Sequence, residues 1–223
     1  MKAKAFLWTI ILSMIFISCS GGDDENGFTI SFQSDEYEAI FYTPGQTEQL
    51  KISLDIGEGG DMDINVSPDT HPSIFYNGAA GTVEWTRELP LGPNPVTVVA
   101  MIEGREASTE ITINNVFQGN FEGGYNFIPG SEILTSINFS VQFNGNGTLT
   151  LDDDGYNATG TWTMTDDNII QFTYSYDVAP STFYTFRGPV VYNTNEAYID
   201  GFFYRGSTVV PGNERGYFRL NFN

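Results

Sequence analysis

The chain has 223 residues, of which nine are Lys or Arg and 28 are Asp or Glu, so its formal net charge is −19. Nucleic acid is excluded as a partner because its phosphates are bound through basic patches, and this sequence has no basic stripe. Anionic lipid head groups would be repelled for the same reason. The 40% hydrophobic content, 15% aromatic content and 24 glycines are typical of a globular β protein rather than a disordered chain.

Residues 1–18 have the pattern of a secretory signal peptide. Lys2 and Lys4 form a positively charged start, and residues 5–17 are an almost unbroken apolar run. A run of about 13 residues suits the core of a signal peptide and falls short of the roughly 20 that a membrane-spanning helix requires. The sequence therefore predicts export and removal of this segment.

Cys19 is the only cysteine and so cannot form a disulfide within the chain. It follows the small residue Ser18 directly at the end of the apolar run. This arrangement resembles the lipobox of bacterial lipoproteins. The resemblance implies cleavage before Cys19 and attachment of acyl chains such as palmitate, and several chains together anchor a protein stably at a membrane.

The residues after the cysteine are Ser20, two glycines, Asp23, Asp24 and Glu25. They resemble the export signal of surface-exposed lipoproteins of the Bacteroidota. That resemblance implies an outer-membrane lipoprotein that faces the cell exterior, with a possible outer-membrane transporter as partner. A Gly- and Asp-rich segment is also typical of a solvated flexible tether, and residues 19–27 can serve both purposes.

Residues 28–116 show apolar residues at every second position, which predicts β-strands. Leu50, Ile52, Leu54 and Ile56 give one example, and residues 96–102 form a more continuously apolar strand. Turn-forming prolines and glycines separate about seven or eight such strands, which predicts an Ig-like β-sandwich. The Cys and Trp pattern of antibody domains is missing, so only the architecture is Ig-like.

Residues 117–223 are predicted to form a second domain with a different character. Residues 121–223 hold 21 of the 33 aromatic residues, against eight in residues 28–116. Strands are predicted at 121–127, 133–143, 147–151, 156–165, 169–176, 182–191, 196–204 and 216–222. Short Asn-, Asp- and Gly-rich turns join most of them, and eight consecutive hairpin-linked strands favour an antiparallel β-barrel.

Short motifs in this region resemble the small lipocalin-like barrels of exported bacterial lipoproteins. The motifs are Gly119-Asn120-Phe121, Gly147-Thr148-Leu149, Gly160-Thr161-Trp162-Thr163 and Ile169-Ile170-Gln171-Phe172. The resemblance covers about 100 residues and implies an eight-stranded barrel with a ligand-binding interior. An avidin-like barrel fits these motifs equally well, and a second sandwich remains an alternative.

Catalytic chemistry has few candidate residues. His71 is the only histidine and lies in a proline-rich turn, so the sequence predicts no nucleophilic triad, no zinc site and no cofactor. A pair of carboxylates could still perform glycoside hydrolysis, with Glu122, Glu132, Asp177, Glu196 and Asp200 as candidates by type. Hydrolysis is the less favoured alternative, and the chain is predicted not to be an enzyme.

The aromatic enrichment favours a binding module instead. Trp162, Tyr174, Tyr176 and Tyr184 are the candidate ligand-binding residues, because tyrosines near strand ends offer an apolar ring and a polar tip. A small molecule or a glycan bound at the end of the barrel would suit such a set. The alternative is a structural or adhesive surface protein whose barrel is filled by its own aromatic side chains.

Overall fold

The structure is a computed structural model that describes residues 28–54, 62–67, 72–102, 104–165 and 167–223. Within these ranges the chain forms 17 β-strands and no helix. The predicted lipid-bearing and export residues, Cys19, Ser20, Asp23, Asp24 and Glu25, lie outside the described residues. Across the described ranges, nothing helical has the length and apolar character that crossing a membrane requires.

The first nine strands form three small sheets. The four-stranded sheet has the order β2-β9-β8-β5, the three-stranded sheet has the order β3-β7-β6, and β1 pairs with β4. The strands are β1 (Phe28–Ser31), β2 (Glu36–Ile40), β3 (Gly45–Gln46), β4 (Lys51–Leu54), β5 (Met62–Ser67), β6 (Ile74–Asn77), β7 (Thr82–Trp85), β8 (Gly92–Ile102) and β9 (Arg105–Val116).

Alternation along the strands builds the core between these sheets. In β8, Val96, Val98, Ala100 and Ile102 are buried, while the residues between them are at least partly exposed. They join Trp85 and other buried residues of the opposing sheet in one apolar cluster. Because successive side chains of a strand point to opposite faces, the period-two pattern is enough to place these residues in the core. The arrangement is sandwich-like, as predicted.

The remaining eight strands close into an antiparallel barrel in sequence order, and β10 completes the circle by pairing with β17. Each of the eight predicted strands corresponds to one of them. The strands are β10 (Gly119–Tyr125), β11 (Ser136–Phe143), β12 (Thr148–Asp153), β13 (Tyr156–Met164), β14 (Ile169–Tyr176), β15 (Phe183–Tyr192), β16 (Ala197–Arg205) and β17 (Gly216–Phe222). The predicted fold class, an all-β chain with a sandwich followed by a closed eight-stranded barrel, is confirmed.

Glycine is required where β15 and β16 bend around the barrel. A Cβ at Gly188 would collide with the carbonyl oxygen of Asp200, and one at Gly201 would collide with that of Arg187. The two strands therefore approach each other more closely than any side chain would allow. Glycine inside a strand commonly marks such a bend at a barrel corner.

The barrel interior is filled by aromatic rings. Phe172, Phe186, Phe203 and Phe218 are each at most 1% exposed. The centroid of Phe186 lies 4.9 Å from that of Phe172, 5.0 Å from that of Phe203 and 4.9 Å from that of Phe218. An eight-stranded barrel is just wide enough for its inward side chains to meet at the axis, and here large rings occupy that space.

Two phenylalanines from outside the barrel strands cover one of its ends. β2 runs parallel to the end of β9, and the amide of Phe41 donates to the carbonyl of Val116 over 3.0 Å. Phe41 therefore lies beside Phe117, with ring centroids 5.1 Å apart. Both are buried in the same cluster as the barrel core, so the residues that follow β2 and β9 extend that core, while the sandwich keeps a separate core of its own.

Candidate functional site

Strand direction assigns every residue of the barrel to one of two ends. The closed end carries Gly119 and Phe143, which pair at the start of β10 and the end of β11, and it is the end covered by Phe41 and Phe117. The open end carries the four connections that join β10 to β11, β12 to β13, β14 to β15 and β16 to β17, and three of these are the longest in the barrel. A ligand reaching the barrel from outside meets the open end.

Three of the four predicted ligand-binding residues come together at the open end. The centroid of Tyr174 lies 5.5 Å from that of Tyr176 and 5.8 Å from that of Tyr184, and the rings of Tyr176 and Tyr184 are also 5.8 Å apart. Tyr174 and Tyr184 are paired directly across β14 and β15, which explains their stacked rings. Tyr174 is 2% exposed, whereas Tyr176 and Tyr184 are half-buried.

Trp162 does not belong to this group. It lies toward the closed end, where its ring centroid is 5.2 Å from that of Phe117. Its indole Nε1–H donates to the carbonyl of Asn144 over 2.9 Å, which satisfies the only polar atom of the side chain. The structure therefore gives Trp162 a role in packing the barrel against the sandwich.

A buried carboxylate organises the tyrosines. Asp153, the last residue of β12, is 7% exposed. The hydroxyls of Tyr125 and Tyr176 both donate to its Oδ2, the former over 2.9 Å. Buried charge is costly unless it is hydrogen-bonded, and two phenolic donors on one oxygen supply that compensation. Among the described residues, no hydrogen bond occupies the other oxygen, Oδ1. We call Tyr125, Asp153, Tyr174, Tyr176 and Tyr184 the open-end site.

The hydroxyls of this site stay protonated well above neutral pH. Burial and the Asp153 carboxylate raise the pKa of Tyr125 to about 12. The same two causes raise the pKa of Tyr176, and burial together with Tyr176 raises the pKa of Tyr174 well above its usual value. Burial disfavours the phenolate, and the neighbouring carboxylate repels it further. All three tyrosines therefore act as hydrogen-bond donors under physiological conditions.

Exposed apolar side chains surround the open-end site. Of the 12 large hydrophobic residues that are exposed in the described ranges, seven lie on the connections or strand starts at this end. We call them the apolar rim: Phe127, Ile128, Ile133, Tyr156, Val178, Phe183 and Val210. Single exposed hydrophobic residues are common, but a concentration at one end of a domain is typical of an interaction surface.

Arg205 adds a positive charge at the same end. It is the last residue of β16 and pairs with Tyr184 of β15, so it stands next to the tyrosines in the sheet. Its side chain is exposed, and the described residues place no carboxylate within ion-pair distance of it. An anionic group of a ligand could therefore be oriented by Arg205.

The sequence interpretation missed Tyr125 and Asp153, although a signal for Asp153 was present. Leu149, Leu151 and Asp153 share one face of β12 and are all buried, while Thr148, Thr150 and Asp152 are exposed. The strand was predicted to end at residue 151, so the three aspartates that follow it were assigned to the connecting turn. The middle aspartate, Asp153, continues the inward face of the strand, and period-two counting from Leu149 would have placed it inside.

Of the acidic candidates for hydrolysis, Glu132 and Asp177 are exposed on connections at the open end, and the other three lie elsewhere. Glu122 and Glu196 are on the outer surface, where Glu196 forms a 3.4 Å ion pair with Arg219. Asp200 accepts a hydrogen bond from the hydroxyl of Tyr217 over 3.1 Å. Within the described ranges, no group of three or more His, Cys, Asp or Glu side chains has the arrangement needed to hold a metal ion.

Comparisons with known proteins do not assign a family. No protein-family model matches the chain, and no curated protein matches it. The chain is similar to a solved structure of human protocadherin-24 EC1-2, with 8% identity and a TM-score of 0.37, over 75% of this chain and 89% of that one. Cadherin domains 1–4 of protocadherin gamma B7 match with 10% identity and a TM-score of 0.27, over 89% and 68%. Likeness this weak contributes nothing to the functional argument.

Proposed function

We propose that this chain is a lipid-anchored surface lipoprotein of the outer membrane, and that it binds a small molecule or glycan without catalysing a reaction. The observation that carries the binding function is the open-end site. Four tyrosines gather around one buried carboxylate, at the end of the barrel that the sandwich leaves uncovered. The anchor and the surface location rest on the sequence alone.

The chemistry of the open-end site suggests the kind of ligand. Below the tyrosines the barrel is filled with phenylalanine rings, so a ligand would rest on the end of the barrel and not enter it. The tyrosine rings offer apolar surface, and the free Oδ1 of Asp153 accepts a hydrogen bond. A sugar ring, which combines C–H surface with hydroxyl donors, or a small amphipathic molecule matches both features.

The binding function is tested with the full-length chain in detergent, screened against glycan and lipid libraries and then measured by calorimetry. A ligand of the open-end site should bind at least tenfold more weakly to Tyr184→Ala, because the half-buried ring contributes contact area and stacking that alanine cannot replace. Phe202→Ala is the matched control, since Phe202 is 44% exposed on the outer wall of the barrel. Thermal unfolding of both variants shows whether they are folded.

Two results would contradict this function. One is that no member of either library binds the folded wild-type chain. The other is a ligand whose affinity is lowered equally by Tyr184→Ala and Phe202→Ala, which would place its site away from the tyrosines.

The anchor is tested separately in the native cells. Metabolic labelling with a palmitate analogue should mark the wild-type chain and not Cys19→Ala. Replacing Asp23, Asp24 and Glu25 together with Asn, Asn and Gln should keep the label and protect the chain from proteinase added to intact cells. An unlabelled wild-type chain in the cytosolic fraction would contradict both the anchor and the location.

A structural or adhesive surface protein is the second candidate, and a specific observation favours it. The barrel interior is occupied by its own rings, and the apolar rim is exposed at the end farthest from the sandwich. Cells that lose adhesion when Phe127 and Ile133 are both replaced by Ser, while no library member binds the wild type, would support this candidate over the first.

A further inference from the structure

A concavity lies at the closed end, where the three-stranded sheet of the sandwich meets the barrel. It has a volume of about 440 Å³ and lies between Pro44, Gln46, Phe75, Glu84 and Arg87 on one side and Thr194 on the other. Thr194 belongs to the connection between β15 and β16. We call this concavity the junction groove. Its volume is within the range of about 300–1,000 Å³ that is usual for small-molecule sites.

The floor of the groove is one row of residues across the three strands. Gln46 pairs with Glu84, and Glu84 pairs with Phe75, so all three side chains stand on the same face of the sheet. The next row, with Trp85 and Ile74, faces the core. Phe75 stands at the end of this row, on the edge strand β6, and its 45% exposed ring offers a platform beside Glu84.

Arg87 is the cation of the groove. Its guanidinium carbon lies 5.1 Å from the ring centroid of Tyr42, so a cation–π contact holds one face of the group. Among the described residues, no carboxylate lies within ion-pair distance of it, although acidic residues outnumber basic ones by 28 to nine. A planar guanidinium with free N–H donors suits a carboxylate, which it binds through two parallel hydrogen bonds.

Glu84 is already partly engaged. Its Oε1 accepts hydrogen bonds from Asn77 over 2.6 Å and from Thr82 over 3.4 Å. No hydrogen bond from the described residues occupies its Oε2, which can accept one from a ligand hydroxyl. The amide of Gln46 and the hydroxyl of Thr194, which also line the groove, add further donors and acceptors.

We propose that the junction groove binds an acidic saccharide. The sugar ring lies on Phe75, its carboxylate pairs with Arg87, and its hydroxyls reach Gln46, Glu84 and Thr194. A purely apolar ligand would leave these polar groups unpaired, and a small inorganic anion would leave the phenylalanine platform unused. The site is independent of the open-end site and does not rest on the function proposed for it.

The test uses two uronate probes, oligogalacturonate and oligomannuronate, with maltohexaose as the neutral comparison. Calorimetry on the full-length chain should show binding of at least one uronate and none of maltohexaose. Arg87→Ala should weaken uronate binding by about 10- to 100-fold, which corresponds to the loss of hydrogen bonds to a charged group. Phe75→Ala should weaken it about tenfold through loss of the platform.

Two matched controls separate the groove from general effects. Arg215→Ala removes the same charge from an exposed position at the open end, and Phe202→Ala removes an equally exposed phenylalanine from the outer wall. Both should bind the uronates as the wild type does. Failure of both uronates to bind, equal binding of maltohexaose, or unchanged binding in Arg87→Ala would each overturn the proposal.

Discussion

The inward-facing side chains at the two ends of the barrel differ in chemistry because one end meets protein and the other meets solvent. At the closed end most inward residues meet protein and are apolar, and the one polar atom of Trp162 is satisfied internally. At the open end they meet solvent, and tyrosines carry their hydroxyls to a buried aspartate. A tyrosine needs a partner for its polar tip, whereas phenylalanine needs only a neighbouring apolar surface.

The largest expected effect concerns Phe41, which seals the closed end. Replacing this fully buried residue with alanine should lower the free energy of unfolding by about 3–5 kcal/mol, through lost burial and the cavity left behind. Guanidinium unfolding followed by tryptophan fluorescence checks it. Phe75→Ala, in the same part of the chain but 45% exposed, should cost much less. Equal effects of the two variants would mean that Phe41 does not connect the sandwich to the barrel core.

The second-largest loss of unfolding free energy is expected from replacing Asp153 at the open end. Asp153→Ala leaves the hydroxyls of Tyr125 and Tyr176 without their acceptor, which should cost about 1–3 kcal/mol of unfolding free energy. Asp152→Ala is the matched control, because Asp152 is exposed and should change stability by about 0.5 kcal/mol. If Asp152→Ala is the more damaging variant, the hydrogen-bonded cluster does not contribute as described.

A smaller loss of unfolding free energy is expected from changing Trp162, which lies toward the closed end and away from the open-end site. Trp162→Phe removes the donor to Asn144 and should cost about 0.5–1.5 kcal/mol, while ligand binding at the open end stays unchanged. Thermal unfolding and calorimetry on the same samples measure both quantities. Loss of ligand binding without loss of stability would return Trp162 to the ligand site and remove the contrast between the two ends.

Tyrosine ionisation should leave the free energy of unfolding unchanged at neutral pH and should lower it at basic pH. Folding raises the pKa of Tyr125 from 10.0 to about 12, so the unfolded chain loses this proton first. The resulting stability is fully present below pH 10 and is lost as the pH rises toward 12. Absorbance titration of phenolate, folded and in guanidinium, measures the difference. A folded chain whose tyrosines all ionise near pH 10 would contradict the buried network.

Several features of the fold could be predicted because they are local. Strand positions in the barrel follow from alternation and turn residues, and the eight predicted segments match the eight strands within a few residues. The gathering of Tyr174, Tyr176 and Tyr184 also follows from one hairpin, since the first two lie in β14 and the third in β15. Such pairs are set by nearby turns, which the sequence displays directly.

The end at which each aromatic residue lies could be predicted only in part. Trp162 stands near the connection between β13 and β14, whereas Tyr174 and Tyr176 stand near the far ends of that hairpin. Counting residues from the turn would have separated them. The prediction grouped Trp162 with the tyrosines because all are aromatic, but the type of a residue does not give its position along a strand.

What the sequence determined by itself was the set of strands and the face on which each side chain stands, because both depend on neighbours a few residues away. The tertiary structure decided that Phe41 covers a barrel formed about 80 residues later, and that Asp153 lies beside Tyr125 and Tyr176. Those contacts depend on barrel closure between β10 and β17 and on the parallel pairing of β2 with β9. No local pattern encodes pairings between strands so far apart in the chain.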